Sequence, residues 1–373
     1  MKQTQAFLST YTADVSGVCS ALFELGGMTV MHDASGCNST YNTHDEPRWY
    51  DMDSLVYISG LSELEAVMGD DEKLISDVSD AARQLHPRFI ALAGTPIPMI
   101  TGCDLPAIAR EVEGRTNIPS FAVPSNGIGT YVAGAGQALR LYAERFITSR
   151  PEKRKNAVNI LGATPLDFSV NGCVQSMARR LEEAGFTLQS VFAMSSSIDA
   201  IDKAGAAEAN LVISSVGLPA AKYLQAQFGT PYVIGAPFGD FFSPYVFDAL
   251  RESIRTGAPA DVLGTFAPDA PDTVIVGESV TAKSLAAALA VGYGIGARVI
   301  CPVEAPNGVL GACDLRLEDE EEIEQALRGA RRVIADPLYR RIVPAKSEFY
   351  PLPHEAFSGR IYRRQIPNLA ERV

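Results

Sequence analysis

Residues 30–40 read Val-Met-His-Asp-Ala-Ser-Gly-Cys-Asn-Ser-Thr, the pattern of a strand that ends in a turn and leads into a helix. The apolar run ending at Met31 predicts the strand, small residues follow it, and residues 38–40 are types that cap helices. We therefore expect Cys37 between the strand and the helix. That position favours a thiolate and faces the ligand-binding side of an α/β sheet. The alternative interpretation is a small cysteine buried at a strand end.

The middle of the chain repeats the alternation of strands and helices. Strand-like apolar runs alternate with helical patterns that end near glycine, and these runs cover residues 158–162, 188–193, 210–216 and 232–234. This alternation is typical of parallel α/β sheets. A polar stretch at 149–156 and a Pro-rich stretch at 256–272 interrupt it. The sequence therefore predicts three α/β domains, over residues 1–150, 151–262 and 263–373.

Four local predictions concern the surroundings of Cys37 and the end of the chain. A helix is expected over residues 11–25, with Asp14 or Ser16 as its cap. Residues 61–85 are expected to form two helices that separate near Gly69. Residues 95–104 are expected to be a loop, and residues 350–360 a Pro-rich loop rather than a helix.

Composition limits the classes of function. The chain has 373 residues, of which 47% are hydrophobic and 20% charged, as in folded proteins of more than one domain. Its formal net charge of −12 argues against binding to a phosphate backbone, so no nucleic-acid partner is expected. The N-terminus lacks the apolar core of a signal peptide, and no apolar run has membrane-spanning length. We expect a cytoplasmic protein with no membrane partner.

Known cysteine and nucleotide motifs do not occur. The six cysteines contain no C-x-x-C pair, which argues against a zinc finger, and a reducing compartment argues against disulfides. Any metal bound by these cysteines must be held by distant segments or by two subunits. No P-loop or dinucleotide fingerprint is present, so this chain is expected to bind no nucleotide itself.

Four stretches, in this order, resemble the component 1 family of nitrogenase-type oxidoreductases. That family contains nitrogenase α and β subunits, cofactor-assembly scaffolds, and dark-operative protochlorophyllide and related tetrapyrrole reductases. Residues 31–37 are similar to its His-Gly-x-x-Gly-Cys motif, and residues 59–74 to its acidic segment ending in Lys-Leu. Residues 94–105 are similar to a strand followed by a cysteine-containing turn. Residues 209–215 and 228–232 are similar to its Leu-Asn-Leu-Val and Gly-Ile-Pro-Tyr motifs.

The resemblance implies a fold and an activity. The fold would be three doubly wound, Rossmann-like domains with parallel sheets. An iron–sulfur cluster, of the 4Fe-4S type, would lie between this chain and an identical or paralogous subunit. The resemblance also implies an oxidoreductase that takes electrons from an ATP-dependent iron protein and reduces a small-molecule substrate. Arg48 or Trp49 would flank the docking surface of that electron donor.

The resemblance assigns site residues with departures from the family pattern. Asp14 occupies the first cluster-ligand slot, Cys19 follows more than a helical turn later, and the third slot falls at Thr95 or Pro96. Cys103 stands where the family has an aspartate. The expected residues for the metal and its surroundings are Cys37, Cys19, Cys103, Asp14, Gly36 and His32. His32 is expected to hydrogen-bond the turn rather than to bind metal.

A second site is implied near the end of the chain. Ser214 occupies the position of the cysteine that holds the active-site cofactor in nitrogenase α subunits. A serine at this position argues against binding of that cofactor. His354 and Arg360 are candidates for a substrate pocket, with a structural loop anchor as the alternative. Two further classes of function stay open: a scaffold for assembly of a metallocluster or metal–tetrapyrrole, and a binding subunit that has lost its cluster.

Overall fold

The computed structural model describes residues 6–9, 11–37, 46–266 and 271–373. Three separate sheets follow one another along the chain, and every strand pairing within them is parallel. This confirms the predicted α/β class. In the part of the chain that the structure describes, no helix is long and apolar enough to cross a membrane.

The first sheet has the strand order β2-β1-β3-β4. Its strands are β1 (Met28–His32), β2 (Leu55–Ile58), β3 (Ile90–Gly94) and β4 (Ser120–Val123). Its helices are α1 (Asp14–Leu22), α2 (Glu63–Met68), α3 (Asp71–Leu85), α4 (Pro96–Thr101), α5 (Leu105–Thr116) and α6 (Tyr131–Phe146). The central strands β1 and β3 are buried along their whole length, which is typical of parallel strands covered on both faces.

The second sheet has the order β6-β5-β7-β8-β9. Its strands are β5 (Ala157–Leu161), β6 (Thr187–Val191), β7 (Ala209–Val212), β8 (Tyr232–Ile234) and β9 (Ala260–Asp261). The helices of this part are α7 (Pro165–Phe168), α8 (Cys173–Glu183), α9 (Ile198–Asp202), α10 (Leu218–Phe228) and α11 (Gly239–Thr256).

The third sheet has the order β12-β11-β10-β13-β14. Its strands are β10 (Thr273–Val276), β11 (Ala297–Cys301), β12 (Leu315–Arg316), β13 (Arg332–Ala335) and β14 (Glu348–Pro351). Its helices are α12 (Ser279–Tyr293), α13 (Glu320–Leu327) and α14 (Glu355–Ser358). The proposed domain limits after residues 150 and 262 fall between the sheets and stay predictions. The last residues return to the middle unit, where the Gly239 N–H donates to the carbonyl of Leu369.

Three local predictions were wrong and one is confirmed. Helix α1 is shorter than expected: Ala13 is its N-cap residue and Asp14 its first helical residue. The expected loop over 95–104 contains α4, because prolines that read as loop signals also suit the first turn of a helix. The expected Pro-rich loop at 350–360 contains the end of β14 and the short helix α14. The break at Gly69 is confirmed, and this residue ends α2 in the left-handed conformation.

Candidate functional site

Cys37 lies in a tight turn at the carboxyl end of β1. Its N–H donates to the carbonyl of Ala34 at 3.2 Å, and Gly36 adopts a φ of 91°, which a residue with a side chain rarely adopts. The Cys37 thiol is free and its residue is exposed, so the alternative of a buried cysteine at a strand end is wrong. The helix expected after Cys37 falls on residues 38–45, which lie outside the described residues.

Two hydrogen bonds fix the base of this turn to the neighbouring strand. His32 Nδ1 lies 2.9 Å from the hydroxyl of Ser59, and the N–H of Leu61 donates to the carbonyl of Asp33 at 2.8 Å. Burial lowers the pKa of His32, which favours the neutral ring as a hydrogen-bonding partner. His32 therefore holds the turn, as the sequence predicts.

Asp14 and Thr95, the residues expected at the two other ligand positions, form hydrogen bonds within the chain. The Asp14 carboxylate accepts the N–H groups of Val15 and Gly127 on Oδ1, at 2.7 and 2.8 Å, and that of Asn126 on Oδ2 at 2.9 Å. Burial raises the pKa of Asp14, an effect that these three donors oppose. Thr95 is fully buried, and its hydroxyl donates to the carbonyl of His32 at 2.8 Å.

The structure does not bring Cys19 and Cys103 to the Cys37 turn as thiolates. Cys19 is fully buried in α1, and burial raises its pKa strongly. Cys103 lies 3.7 Å from Asp71 Oδ1, and burial together with that carboxylate raises its pKa to about 12. This is the opposite of the thiolate environment expected at a helix start. Within the described ranges, no three or more His, Cys, Asp or Glu side chains are arranged to hold a metal ion.

An exposed apolar surface lies beside the Cys37 turn. Helix α2 begins two residues after Leu61, α4 begins directly after Thr95, and the two helices are in contact. Helix α2 contains no buried residue. Four side chains of these helices are each more than 70% exposed: Leu64, Val67, Met68 and Ile100. We call these four residues the α2–α4 surface. Clustered exposed apolar side chains of this size mark contact sites for other molecules.

Arg48 does not flank that surface, contrary to the expectation. Only 4% of it is exposed, and its guanidinium donates to Glu46 Oε1 and Glu24 Oε1, both at 2.7 Å. It also donates to the carbonyl of Ala193 at 2.9 Å, which joins the first and second sheets. Trp49 is half-buried and packs against the core.

A buried polar cluster occupies the place where the three sheets meet. Asp167, just after β5, accepts the hydroxyl groups of Ser214 at 2.6 Å and Tyr131 at 2.5 Å. His354, before α14, has its Nε2 atom 3.5 Å from Asp167 Oδ1. Its Nδ1 atom accepts the N–H of Ala356, and its buried Nε2 atom faces Asp167 without a hydrogen-bond partner among the described residues. Sequence reasoning found Ser214 and His354 but missed Asp167, which no motif marks.

Glu278 makes a second connection at this junction. Its carboxylate is fully buried, caps α12 through the N–H groups of Val280 and Thr281, and accepts the N–H of Ser215 from the second sheet at 3.2 Å. Arg360 lies beyond α14, is exposed, and makes no hydrogen bond to this cluster among the described contacts. The structure therefore places His354, and not Arg360, at the sheet junction.

Two cavities border the junction. A small one of about 50 Å³ is lined by Asp167, His354 and apolar side chains such as Phe168 and Leu285. A larger, open one of about 590 Å³ lies between α6, α10 and the loop after β11. It is lined by polar residues that include Gln137, Arg140, Ser215, Lys222 and Glu304. The Ser215 hydroxyl is buried and has no hydrogen-bond partner among the described residues.

Ser214, which was expected at the position of the family's cofactor-binding cysteine, is not placed to bind a cluster. Ser214 is fully buried, its hydroxyl donates to Asp167, and it lines neither cavity. A ligand to a metallocluster needs an open face, and Ser214 has none. The open cavity beside Ser215 is the part of this junction that has room for a small molecule.

Comparisons with known proteins agree with this architecture. The chain is 28% identical over 196 residues to the nitrogenase iron-molybdenum cofactor biosynthesis protein NifE of Methanosarcina barkeri, which covers 49% of this chain and 42% of that protein. It is 26% identical over 181 residues to one of the subunits of the light-independent protochlorophyllide reductase of Nostoc punctiforme, which covers 46% and 36%. The matched segments thus span less than half of the length of these relatives.

The fold itself matches a solved nitrogenase structure. The structure of nitrogenase Cp1 at pH 5 superposes with a TM-score of 0.60 and 17% sequence identity, over 87% of this chain and 72% of that chain. The family model described as nitrogenase component 1 type oxidoreductase matches residues 16–261. This match covers well over half of the sequence and includes the Cys37 turn and the Ser214 segment. The chain therefore belongs to the nitrogenase component 1 type oxidoreductase family.

Proposed function

We propose that this chain is one subunit of a nitrogenase-like oxidoreductase that reduces a small molecule. It would receive electrons through an iron–sulfur cluster at a subunit interface. The observation that carries the proposal is the exposed thiol of Cys37, held in a left-handed glycine turn at the carboxyl end of β1. Thiolates are the usual protein ligands of such clusters, which carry out one-electron transfer.

The surroundings of Cys37 support electron delivery by a separate protein. The α2–α4 surface begins where the Cys37 turn is anchored, and its exposed apolar side chains suit a docked partner. The sequence contains no P-loop and no dinucleotide fingerprint, so an electron donor that hydrolyses ATP would be a separate chain. We propose that this donor is an ATP-dependent iron protein and that it binds over the α2–α4 surface.

The open cavity beside Ser215 is the proposed substrate site. It lies at the carboxyl ends of parallel strands, where ligands bind in α/β proteins. Arg140, Lys222 and Glu304 offer charged groups to a bound molecule around this cavity.

Electron transfer provides the direct test. The complex purified anaerobically with its partner would be mixed with the iron protein, dithionite, and either ATP or a non-hydrolysable analogue. We expect cluster reduction, followed by visible and EPR spectra, only with ATP and the iron protein. A matched variant, Val67→Asp on the α2–α4 surface, should slow this reduction without changing the iron content. Equal reduction with both nucleotides would contradict the proposal.

A second candidate function is a non-catalytic scaffold for the assembly of a metallocluster or a metal–tetrapyrrole. Its support is the similarity to NifE, a protein named for cofactor biosynthesis. A scaffold would release its bound cluster or tetrapyrrole to an acceptor protein and would show no multiple turnover. Turnover with the iron protein, ATP and reductant therefore separates the two functions.

A further inference from the structure

Charge is distributed unevenly along the chain. The whole sequence has a formal net charge of −12, whereas residues 328–373 contain ten Lys and Arg and only four Asp and Glu. Two of these acidic residues, Asp336 and Glu355, are buried, and the Glu348 carboxylate lies 3.8 Å from the guanidinium of Arg332. The end of the chain therefore exposes an excess of positive charge on a protein that is acidic overall.

Three arginines of this region have no charged partner. Arg341, Arg360 and Arg364 are exposed, and none of them forms an ion pair or a side-chain hydrogen bond with a described residue. Arg363, by contrast, donates to the buried carboxylate of Glu355 at 2.8 Å. An exposed, unpaired guanidinium keeps its five N–H donors available to an anionic group.

All three arginines belong to segments next to the short helix α14. One 3₁₀ turn, Pro337–Arg341, and a second, Gly359–Ile361, both contact this helix, and a third, Arg363–Gln365, follows the second after one residue. The guanidinium of Arg340 lies 5.3 Å from the ring of Phe349, which joins the first turn to β14. Two separate parts of the chain thus bring their unpaired arginines to the surroundings of one helix.

Apolar side chains are exposed among these charges. Ile361 directly follows Arg360 and is 69% exposed, and Tyr350 of β14 is 47% exposed. Arginine and tyrosine are enriched in the contact faces of protein complexes, where they surround apolar anchors. We define the basic surface by five residues: Arg341, Tyr350, Arg360, Ile361 and Arg364.

Charge decides which partner this surface fits. A nucleic acid carries a continuous row of phosphates, which a net charge of −12 repels. An identical chain fits poorly, because a two-fold pair would place the same arginines opposite each other. Carboxylates on another protein pair with arginine through two parallel hydrogen bonds, and that protein can also offer an apolar side chain to Ile361.

We propose that the basic surface binds an acidic segment of another protein. Its carboxylates pair with Arg341, Arg360 and Arg364, and its apolar side chains pack against Ile361. The inference is independent of the proposed function, because it involves neither Cys37 nor the open cavity. Residues 352–354 and 366–367 of the same region line the small cavity at the sheet junction, so the partner binds next to that junction.

The test uses the full chain and a fluorescein-labelled synthetic peptide rich in glutamate and leucine, with binding measured by fluorescence anisotropy. A second peptide carries glutamine in place of glutamate. We expect only the acidic peptide to bind, and its affinity should fall about tenfold between about 50 and 300 mM salt, because salt screens exposed charges. Ile361→Ser should weaken binding about threefold or more, because the leucines lose an apolar contact.

Charge reversal at two positions separates the basic surface from the charge of the whole chain. Arg360→Glu combined with Arg364→Glu should weaken binding about tenfold or more. The matched control combines Arg110→Glu with Lys155→Glu, which changes the net charge equally at two exposed positions elsewhere and should stay within about twofold of the wild type. The neutral pair Arg360→Gln with Arg364→Gln should lie between the wild type and the charge reversal.

Three outcomes would overturn the inference. Equal weakening in the two charge-reversed variants would show that only the overall charge matters. A single-stranded oligonucleotide that binds more tightly than the acidic peptide at the same salt would identify a nucleic acid as the occupant. Self-association of the wild-type chain in sedimentation experiments, lost on charge reversal at positions 360 and 364, would identify a second copy instead.

Discussion

Two adjacent buried serines allow a direct test of the polar cluster at the sheet junction. Ser214 and Ser215 are 0% and 3% exposed, yet only the Ser214 hydroxyl donates a hydrogen bond, to Asp167 at 2.6 Å. A hydrogen bond to a charged group contributes about 1.5–3 kcal/mol to stability. We expect Ser214→Ala to lower the free energy of unfolding by about 2 kcal/mol, which is about 30-fold in the unfolding equilibrium.

Ser215→Ala is the matched control for this variant. Its hydroxyl is buried without a partner among the described residues, and burying an unpaired hydroxyl costs about 1–3 kcal/mol. Removing the hydroxyl should therefore leave the free energy of unfolding unchanged or raise it. The two variants delete the same atom from neighbouring positions, so the difference between them reports the hydrogen bonds of the Ser214 hydroxyl, to Asp167 and from the N–H of Val216.

Urea unfolding monitored by circular dichroism measures both variants, with equal m-values required for a valid comparison. Tyr131→Phe removes the second hydroxyl bound to Asp167, and we expect its effect to be non-additive with that of Ser214→Ala because the two share one acceptor. The reasoning is refuted if Ser214→Ala changes stability by less than about 0.5 kcal/mol, the usual size of a neutral substitution. Equal losses in the two alanine variants would refute it as well.

Four further predictions concern the Cys37 turn and assembly. Cys37→Ala in the partner-bound complex should abolish iron binding after anaerobic reconstitution, and full iron content would contradict its role as a ligand. Gly36→Ala should lower the free energy of unfolding by about 1–2 kcal/mol in denaturant titrations, because a residue with a side chain is strained at a φ of 91°. The added methyl group meets no atom within 4 Å, so no steric clash adds to this loss. Alkylation at pH 8, followed by mass spectrometry, should label Cys37 long before Cys103, because a pKa of about 12 leaves about one Cys103 thiol in ten thousand ionised; labelling of Cys103 should then rise about tenfold with each further pH unit up to about pH 12. Light scattering should show the iron-containing protein as a dimer, and an iron-replete monomer would exclude a cluster shared between subunits.

Local signals carried most of the fold prediction. The run at 158–162 was expected as a strand and forms β5 over Ala157–Leu161, where every position is buried. Helix α11 was missed because Gly239 opens it and Pro244 lies inside it, and both residues read as helix breakers. The short helix α4 was missed for a related reason: prolines at a helix start and in a loop give the same sequence signal.

The candidate site was harder to predict because its chemistry depends on contacts between distant residues. The sequence identified the Cys37 turn, whose geometry depends on neighbours such as Gly36. It left Asp14 open as a metal ligand, because its hydrogen bonds to Asn126 and Gly127 join residues more than a hundred positions apart. Asp167 was missed because its partners come from three separate segments, at Tyr131, Ser214 and His354.

Long-range hydrogen bonds determine the structure both at the Cys37 turn and at the junction of the three sheets. At the Cys37 turn, the hydrogen bonds of Asp14 and Thr95 fix the surrounding loops and leave one thiol exposed. At the sheet junction, Asp167 holds the Ser214 hydroxyl inside the protein and leaves the neighbouring cavity open beside Ser215. At both Thr95 and Ser214, a buried hydroxyl thus donates a hydrogen bond within the chain. This shared pattern argues that each of these hydroxyls fixes the local structure at the end of a buried strand.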